Sequence, residues 1–212
     1  MSRLRIVCIS DTHGQHAKVS VPDGDLLIHA GDFMAFGTKP KEIIQFNQWL
    51  GTLPHPYKVV IAGNHDVMFE RHSATARELL KNAIYLENSG TEIAGLNIWG
   101  SPVQPEFNNW AFNVARGAAI RRYWEMIPLD TDILVTHGPP FGMLDQSNPS
   151  SDHLGCEELA MAVERIRPKL HVFGHIHGGH GDETHSGTRF INASVVNEEY
   201  WPVYEPHIVE LG

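Results

Sequence analysis

Five short segments of this chain each close an apolar run with side chains that can bind metal: Ser10-Asp11-Thr12-His13-Gly14, Gly31-Asp32, Gly63-Asn64-His65-Asp66, Thr136-His137-Gly138 and Gly174-His175-Ile176-His177. Any one of them alone is ordinary. An Asp after a strand is commonly a turn residue or helix cap, and a single His is more often a hydrogen-bonded structural residue than a ligand. Five at successive strand ends leave that reading little room. Together they supply seven potential ligands. Imidazole, carboxylate and one carboxamide make a mixed nitrogen and oxygen donor set, which suits Mn, Fe, Zn or Co better than Mg or Ca. Seven donors exceed what one ion takes, whereas two ions sharing a bridging carboxylate use them all. Adjacent glycines (Gly14, Gly31, Gly63, Gly138, Gly174) permit tight turns and close backbone approach.

The elements that must hold these segments are legible from periodicity. Apolar runs of strand length occur at Leu4–Ile9, Leu26–Ala30, Val59–Ala62, Leu96–Trp99, Ile133–Val135, Leu170–Phe173, Phe190–Ala193 and near Ile208–Leu211. Between them, Ile120, Tyr123, Trp124 and Ile127 follow helical spacing, as do Leu159, Ala162, Val163 and Ile166. Pro168 stops the second of these helices. Gly51 is read as the end of a helix through Ile43, Phe46 and Leu50, and Thr75 with Glu78 as a capping box ahead of Leu79 and Leu80. Strands alternating with helices predict an α/β layered domain, in which function gathers beyond the carboxyl ends of the strands. The ligand segments follow the runs ending at Ile9, Ala30, Ala62, Val135 and Phe173, which predicts that they share one rim.

Composition bounds the partners. The 212 residues, 42% hydrophobic, suffice for a single domain over 1–212 with a substantial core. A formal charge of −9 argues against extended nucleic-acid binding and against an anionic membrane surface. A small phosphate substrate stays open, because bound divalent ions reverse the sign of the local field. Cys8 and Cys156 do not make a disulfide framework, which favours a reducing, cytoplasmic setting. The apolar stretch Ile6-Val7-Cys8-Ile9 is too short for a signal-peptide core or a membrane span, so a soluble protein that is not exported is expected. Composition does not set the oligomeric state.

The motifs Asp-x-His-Gly, Gly-Asp, Gly-Asn-His-Asp, a later His and Gly-His-x-His, running from Asp11 to His177, resemble those of the calcineurin-like metallophosphoesterases. Thr136-His137-Gly138-Pro139-Pro140-Phe141-Gly142 and His171-Val172-Phe173-Gly174-His175-Ile176-His177 resemble, more narrowly, the small metallophosphoesterase-domain proteins. That branch is associated with metal-dependent phosphodiesterase activity, including slow hydrolysis of cyclic nucleotides. Some of its members carry glycine in place of a metal-site histidine; His177 stands there in this chain. The resemblance implies a fold of two mixed β-sheets packed as a sandwich and flanked by helices. It assigns Asp11, His13 and His177 to a first metal, Asp32 to a bridge, and Asn64, His137 and His175 to a second metal. His65 resembles the family's catalytic histidine and Asp66 the residue that orients it.

The implied cofactors are two divalent ions, with Mn favoured over Fe, Zn or Co. The expected chemistry is in-line attack of a metal-held hydroxide on phosphorus of a small phosphodiester, Asp32 using one oxygen for each ion and His65 donating to the departing alkoxide. A phosphomonoesterase or phosphoprotein phosphatase is the alternative, and a non-catalytic scaffold a further one. A structural zinc module fits poorly, since these ligands are scattered rather than local.

Other residues are read more plainly. His175-x-His177-x-x-His180 resembles a metallo-β-lactamase-like pattern, but Gly179 stands where Asp belongs, so His180 is read as a loop residue. His153 and His185 are read as surface histidines. Phe33, Asn108, Asn109 and Trp110 lie in loops that could line a pocket, with Trp110 and Phe112 favoured as core. Arg116, Arg121 and Arg122 are read as a solvated helix face, with phosphate recognition the lesser reading, and Cys8 as packing.

Overall fold

The apolar runs become the central strands of two sheets, except the last, which becomes an edge strand of the first sheet. A computed structural model describes residues 3–212. The first sheet contains β1 (Leu4–Ile9), β2 (Leu26–His29), β3 (Tyr57–Val60) and β4 (Ile84–Tyr85) in parallel succession. Strands β5 (Ser89–Ile93) and β6 (Leu96–Ser101) form a hairpin, and β7 (Gln104–Pro105) and β8 (Asn113–Val114) a small separate pair. They are followed by β9 (Ile133–Thr136), β10 (Leu170–Phe173), β11 (Gly181–His185), β12 (Thr188–Asn192) and β13 (His207–Leu211). Strand β13 closes the first sheet antiparallel to β1, and the second sheet runs β11-β12-β10-β9-β6-β5. The sequence expectation of two mixed sheets is met.

Alternation of side chains along each strand builds the layers. Ile6, Cys8, Leu26, Ile28 and Val59 meet Ile98, Ile133, Val135, Leu170, Val172 and Ile191 in an apolar layer between the sheets. The opposite face of the first sheet, with Val7, Ile9, Leu27 and Val60, packs on Ile43, Phe46 and Leu50 of α1 (Pro40–Thr52). Helices α2 (Val67–Arg71) and α3 (Ser73–Leu79) pack on the same side. Leu134, Phe173 and Phe190 of the second sheet cover Ile120 and Trp124 of α4 (Ala118–Trp124) and Leu159, Ala162, Val163 and Ile166 of α5 (Glu157–Ile166). The layers are therefore helix, sheet, sheet, helix. Among the described residues no helix is long and apolar enough to cross a membrane.

Three local expectations shift. Helix α1 runs through Gly51 to Thr52, where Leu53 N–H bonds Leu50 O at 3.3 Å. Thr75 lies inside α3 rather than capping it. The His72 N–H donates to Met68 O and the Ala76 N–H to His72 O, so α2 hands its hydrogen bonds on to α3 without a side-chain cap. Ile127 lies past α4, in a turn closed by its own N–H on Trp124 O at 3.3 Å, and is still buried. Strands β4, β7 and β8 are only two residues long, while β5 and β11 are largely polar or exposed, so none carries an apolar run.

Strands β1, β2 and β3 are parallel, as are β9 and β10, so their carboxyl ends share a rim within each sheet. The two rims are stitched together. Ser10 bridges Ser194, and the His175 N–H donates to the Asp11 carboxylate at 3.1 and 3.2 Å.

Candidate metal centre

Each candidate ligand sits on the first residues past a strand, where the backbone turns sharply. Asp11, His13, Asp32 and His175 all have φ between 42° and 68°. Non-glycine residues in that region cost roughly 1–3 kcal/mol each and persist only where surrounding structure over-determines them. Here the loops bond one another: Asp11 N–H to Gly31 O at 3.0 Å, His13 N–H to Asp32 O at 2.9 Å and Gly174 N–H to His137 O at 2.9 Å. Gly31 also has φ of 101°, and a Cβ there would strike His137 and the backbone at Ala62 and Gly63. A Cβ at Gly174 would overlap the Asp11 carboxylate and the Ser10 hydroxyl.

The donors converge into two groups sharing one region. In the first, Asp11, His13 and His177 offer ligand atoms within 4.8 Å of one another; in the second, Asp32, His137 and His175 do so, and His13 and Asp32 form a further such group with His65 between the two. His13 Nε2 lies 3.3 Å from His177 Nε2, and Asn64 Oδ1 2.9 Å from His137 Nε2. Asp32 lies between the groups, its Oδ2 3.9 Å from His13 Nε2 and 3.4 Å from His137 Nε2. The other oxygen, Oδ1, accepts the His65 backbone N–H at 2.7 Å. Oδ2 is the oxygen that faces His13 and His137, while Oδ1 also fastens the loop after β3.

The electrostatics suit cations. Burial works against charge on Asp11 and Asp32, but His177 beside Asp11 and His137 beside Asp32 hold both carboxyls well below the usual range. Burial pushes His13 down to about 4 and His175 down to about 3, leaving neutral imidazoles, the metal-binding form. At His137 burial is overcome by the Asp32 carboxylate, and the imidazolium is raised to about 9. His137 Nδ1 pairs with Ala30 O at 2.9 Å and His177 Nδ1 with Asn197 O at 3.1 Å, which turns each Nε2 toward the shared space. Two carboxylates, a carboxamide oxygen and these ring nitrogens are an excess of lone pairs in a buried space, and divalent cations fit it.

Residues behind the donors explain their placement. The Asp66 carboxylate accepts N–H bonds from Asp32 (2.8 Å), Gly63 (2.7 Å) and Met34 (2.9 Å). The expectation that Asp66 orients the His65 ring finds no such contact, for two reasons. Asp66 turns inward onto those three backbone groups, and His65 Nδ1 donates to Ala35 O at 2.8 Å. His29, in β2, accepts the Gly31 N–H at Nδ1 (3.3 Å) and donates from Nε2 to Thr12 Oγ1 (3.1 Å), bracing the loops after β1 and β2. His171, in β10, bonds Thr136 Oγ1 at 2.8 Å, and that hydroxyl donates to Gly138 O at 2.8 Å. Neither histidine was assigned a role from the sequence, although His171 opens the motif that ends at His177. A histidine inside an otherwise apolar buried strand was the available signal.

A cleft of about 320 Å³ opens over the donors, lined by Asp32, Asn64, His65, His175 and His177 together with Phe107, Arg116 and Tyr200. The Tyr200 ring packs edge-on against His13 (4.8 Å) and His177 (5.1 Å), and Phe107 edge-on against His175 (5.5 Å). Nothing in the sequence marked Tyr200. Phe112 is buried in the core as expected, and Trp110, half-buried, packs against the same cluster while also stacking on His65 with ring centroids 4.2 Å apart and planes 19° apart. Phe33 does not reach the cleft; it is buried and stacked on Phe46. His180 bonds Ser194 O and stacks on Tyr204, away from the cleft lining. His153 pairs with Asp145, and His185 is exposed. Of the arginines only Arg116 lines the cleft; Arg121 is bidentate on Glu158.

Comparisons with known proteins agree with this geometry. The family model described as calcineurin-like phosphoesterase matches residues 4–179. The chain is 42% identical to metallophosphoesterase domain-containing protein 1 of Homo sapiens, covering 98% of this chain and 71% of that protein. It is 40% identical to UPF0046 protein T07D4.2 of Caenorhabditis elegans, over 98% of this chain and 60% of that one. Among solved structures, TT1561 of Thermus thermophilus superimposes with a TM-score of 0.62 at 16% identity, covering 91% of this chain and 89% of its own, a likeness of fold. Ligand-bearing loops gathered on one rim of a two-sheet sandwich, and a family match spanning most of the sequence, lead to one conclusion: the chain belongs to the calcineurin-like phosphoesterase family.

Proposed function

We propose that the protein is a dinuclear phosphodiesterase acting on small phosphodiesters, a class that includes cyclic nucleotides, through one domain spanning 1–212. In this reading Asp11, His13 and His177 would hold one divalent ion and Asn64, His137 and His175 the other, with Asp32 shared between them. Mn is the favoured ion for this donor set. When bound, such a pair lowers the pKa of water, holds phosphate oxygens and offsets transition-state charge.

The chain's own groups supply the rest. His65 lines the cleft, and with Nδ1 committed to Ala35 O its Nε2 is the ring nitrogen without a hydrogen-bond partner, near His13 and Asp32. In its protonated form it donates to the leaving oxygen as the P–O bond breaks. Asn64 contributes an oxygen without a negative charge, which keeps the centre electrophilic. Asp66 acts by holding the Asp32 and Gly63 backbones rather than the His65 ring.

One observation carries the preference for diesters. Beyond the ligand groups, the charged side chains lining the cleft are Glu106, Glu198 and Arg116. The Arg116 guanidinium is already committed to Glu157 (2.6 Å), Gly155 O (2.7 Å) and Leu154 O (2.9 Å). Among the described residues, no uncommitted lysine or arginine is left in that lining for the second charge of a monoester, and the one proton His65 carries is needed at the leaving oxygen. A singly charged diester needs none. With Mn added, kcat/KM for bis(p-nitrophenyl) phosphate should exceed that for p-nitrophenyl phosphate by about tenfold or more, a difference of about 1.4 kcal/mol. Preference for the monoester would overturn the reading. The two buried, unpaired thiols, Cys8 and Cys156, support a cytoplasmic setting.

A further inference from the structure

Trp110 reaches His65 from the segment joining β7 to β8. That segment is fastened on both sides of the indole. The Ala111 N–H donates to the backbone oxygen of Asn64, the residue before His65, at 3.2 Å. The Phe112 N–H donates to Glu70 Oε1 in α2 at 2.6 Å. On the other side the Asn113 side chain accepts the Phe107 N–H at 3.1 Å and donates to Asn108 O at 2.9 Å. The indole is therefore delivered onto the imidazole face by backbone geometry rather than by a mobile side-chain tether.

His65 itself has one side-chain hydrogen bond, Nδ1 to Ala35 O. A single in-plane bond sets a direction for one nitrogen but leaves the ring free to rock about it. The His13 ring meets it edge-on at 4.6 Å and 79°, and Trp110 covers a face at 4.2 Å and 19°. A near-parallel aromatic neighbour removes the rocking that the hydrogen bond permits. Its value to catalysis lies in orientation, because proton transfer requires Nε2 to point at the leaving oxygen.

We propose that Trp110 is the positioning residue for His65, holding its imidazole plane so that Nε2 meets the leaving-group oxygen. The inference rests on the assignment of His65 as proton donor above. In that step the P–O bond breaks, its electron pair stays on the departing oxygen, and the proton moves from Nε2 to that oxygen, leaving a neutral imidazole. A nitrophenolate stabilises its own charge and needs the proton least. A phenolate without the nitro group needs it more. Misplacing His65 therefore costs rate in proportion to how basic the leaving oxygen is, which loss of general packing does not do.

The test uses Mn-loaded full-length protein and two diesters, bis(p-nitrophenyl) phosphate and diphenyl phosphate. Trp110→Ala should lower kcat on diphenyl phosphate by about 10- to 100-fold, a part of the 10²–10⁴ that general acid catalysis supplies. On the nitrophenyl diester the loss should be only a few-fold, with KM and Mn content unchanged. Trp110→Leu, which keeps apolar cover without an aromatic face, should behave like Trp110→Ala, and Trp110→Phe should restore most of the rate. In a His65→Ala background, Trp110→Ala should cost nothing further. Equal losses on both substrates, or losses that multiply in the double variant, overturn the proposal. His65→Ala read alone separates the two layers. If it fails to discriminate between the diesters, the proton-donor assignment has failed, and the role for Trp110 goes with it.

Discussion

The Asp66 carboxylate accepts the Asp32 backbone N–H at 2.8 Å, which ties the loop after β3 to the residue lying between the two donor groups. Two further N–H groups, from Gly63 and Met34, share the same carboxylate, and all of these groups are buried. Burial and the neighbouring Asp32 carboxylate push the Asp66 pKa upward, against the pull of the N–H donors.

Replacing Asp66 with Asn puts an amide NH₂ where an oxygen accepts, so at least one buried N–H loses its partner. That costs about 1–3 kcal/mol of stability. Because Asp32 is displaced with it, Asp66→Asn should also weaken Mn binding, measured by titration of metal-free protein. His65→Ala should leave Mn affinity near normal while turnover falls. An Asp66→Asn protein with normal metal affinity and only a turnover defect would restore the direct His65-orienting role.

Acid should destabilise the metal-free protein through its buried histidines. Burial holds both His171 and His29 down at about 3. An unfolded-chain histidine titrates near 6.5. Between those values the unfolded state takes up protons that the folded state refuses, so stability falls as pH drops from about 6.5 toward 3, and is unaffected by these groups above 6.5. Each contributes up to about 1.4 kcal/mol per pH unit. Urea midpoints at about pH 6 and about pH 4 should therefore lie closer together for His171→Gln than for the parent chain. An unchanged gap would mean that His171 does not resist protonation.

Much of this was legible in the sequence because continuous apolar runs and helical spacing are direct consequences of the layered core. The strands carrying ligands were found within one or two residues, since both faces of β1, β2, β9 and β10 are buried and read as continuous apolar runs. Edge strands such as β11, largely exposed, have no such run to read. The ligand set was visible as residue types after strand ends, but its supports were not. Whether Asp66 faces His65 or three backbone amides depends on φ and ψ at Asp32 and Gly63, which residue identity leaves open. Tyr200 and Trp110 arrive from segments far away in the chain, and only the closed loops bring their rings onto His13, His177 and His65.

The most direct test of a paired centre is metal stoichiometry. Protein saturated with Mn and freed of loose ions should contain about two ions per chain by elemental analysis, and Asp32→Ala should lose both, since Asp32 Oδ2 faces both donor groups. A single ion in the parent protein, or an Asp32→Ala variant that keeps two, would contradict it.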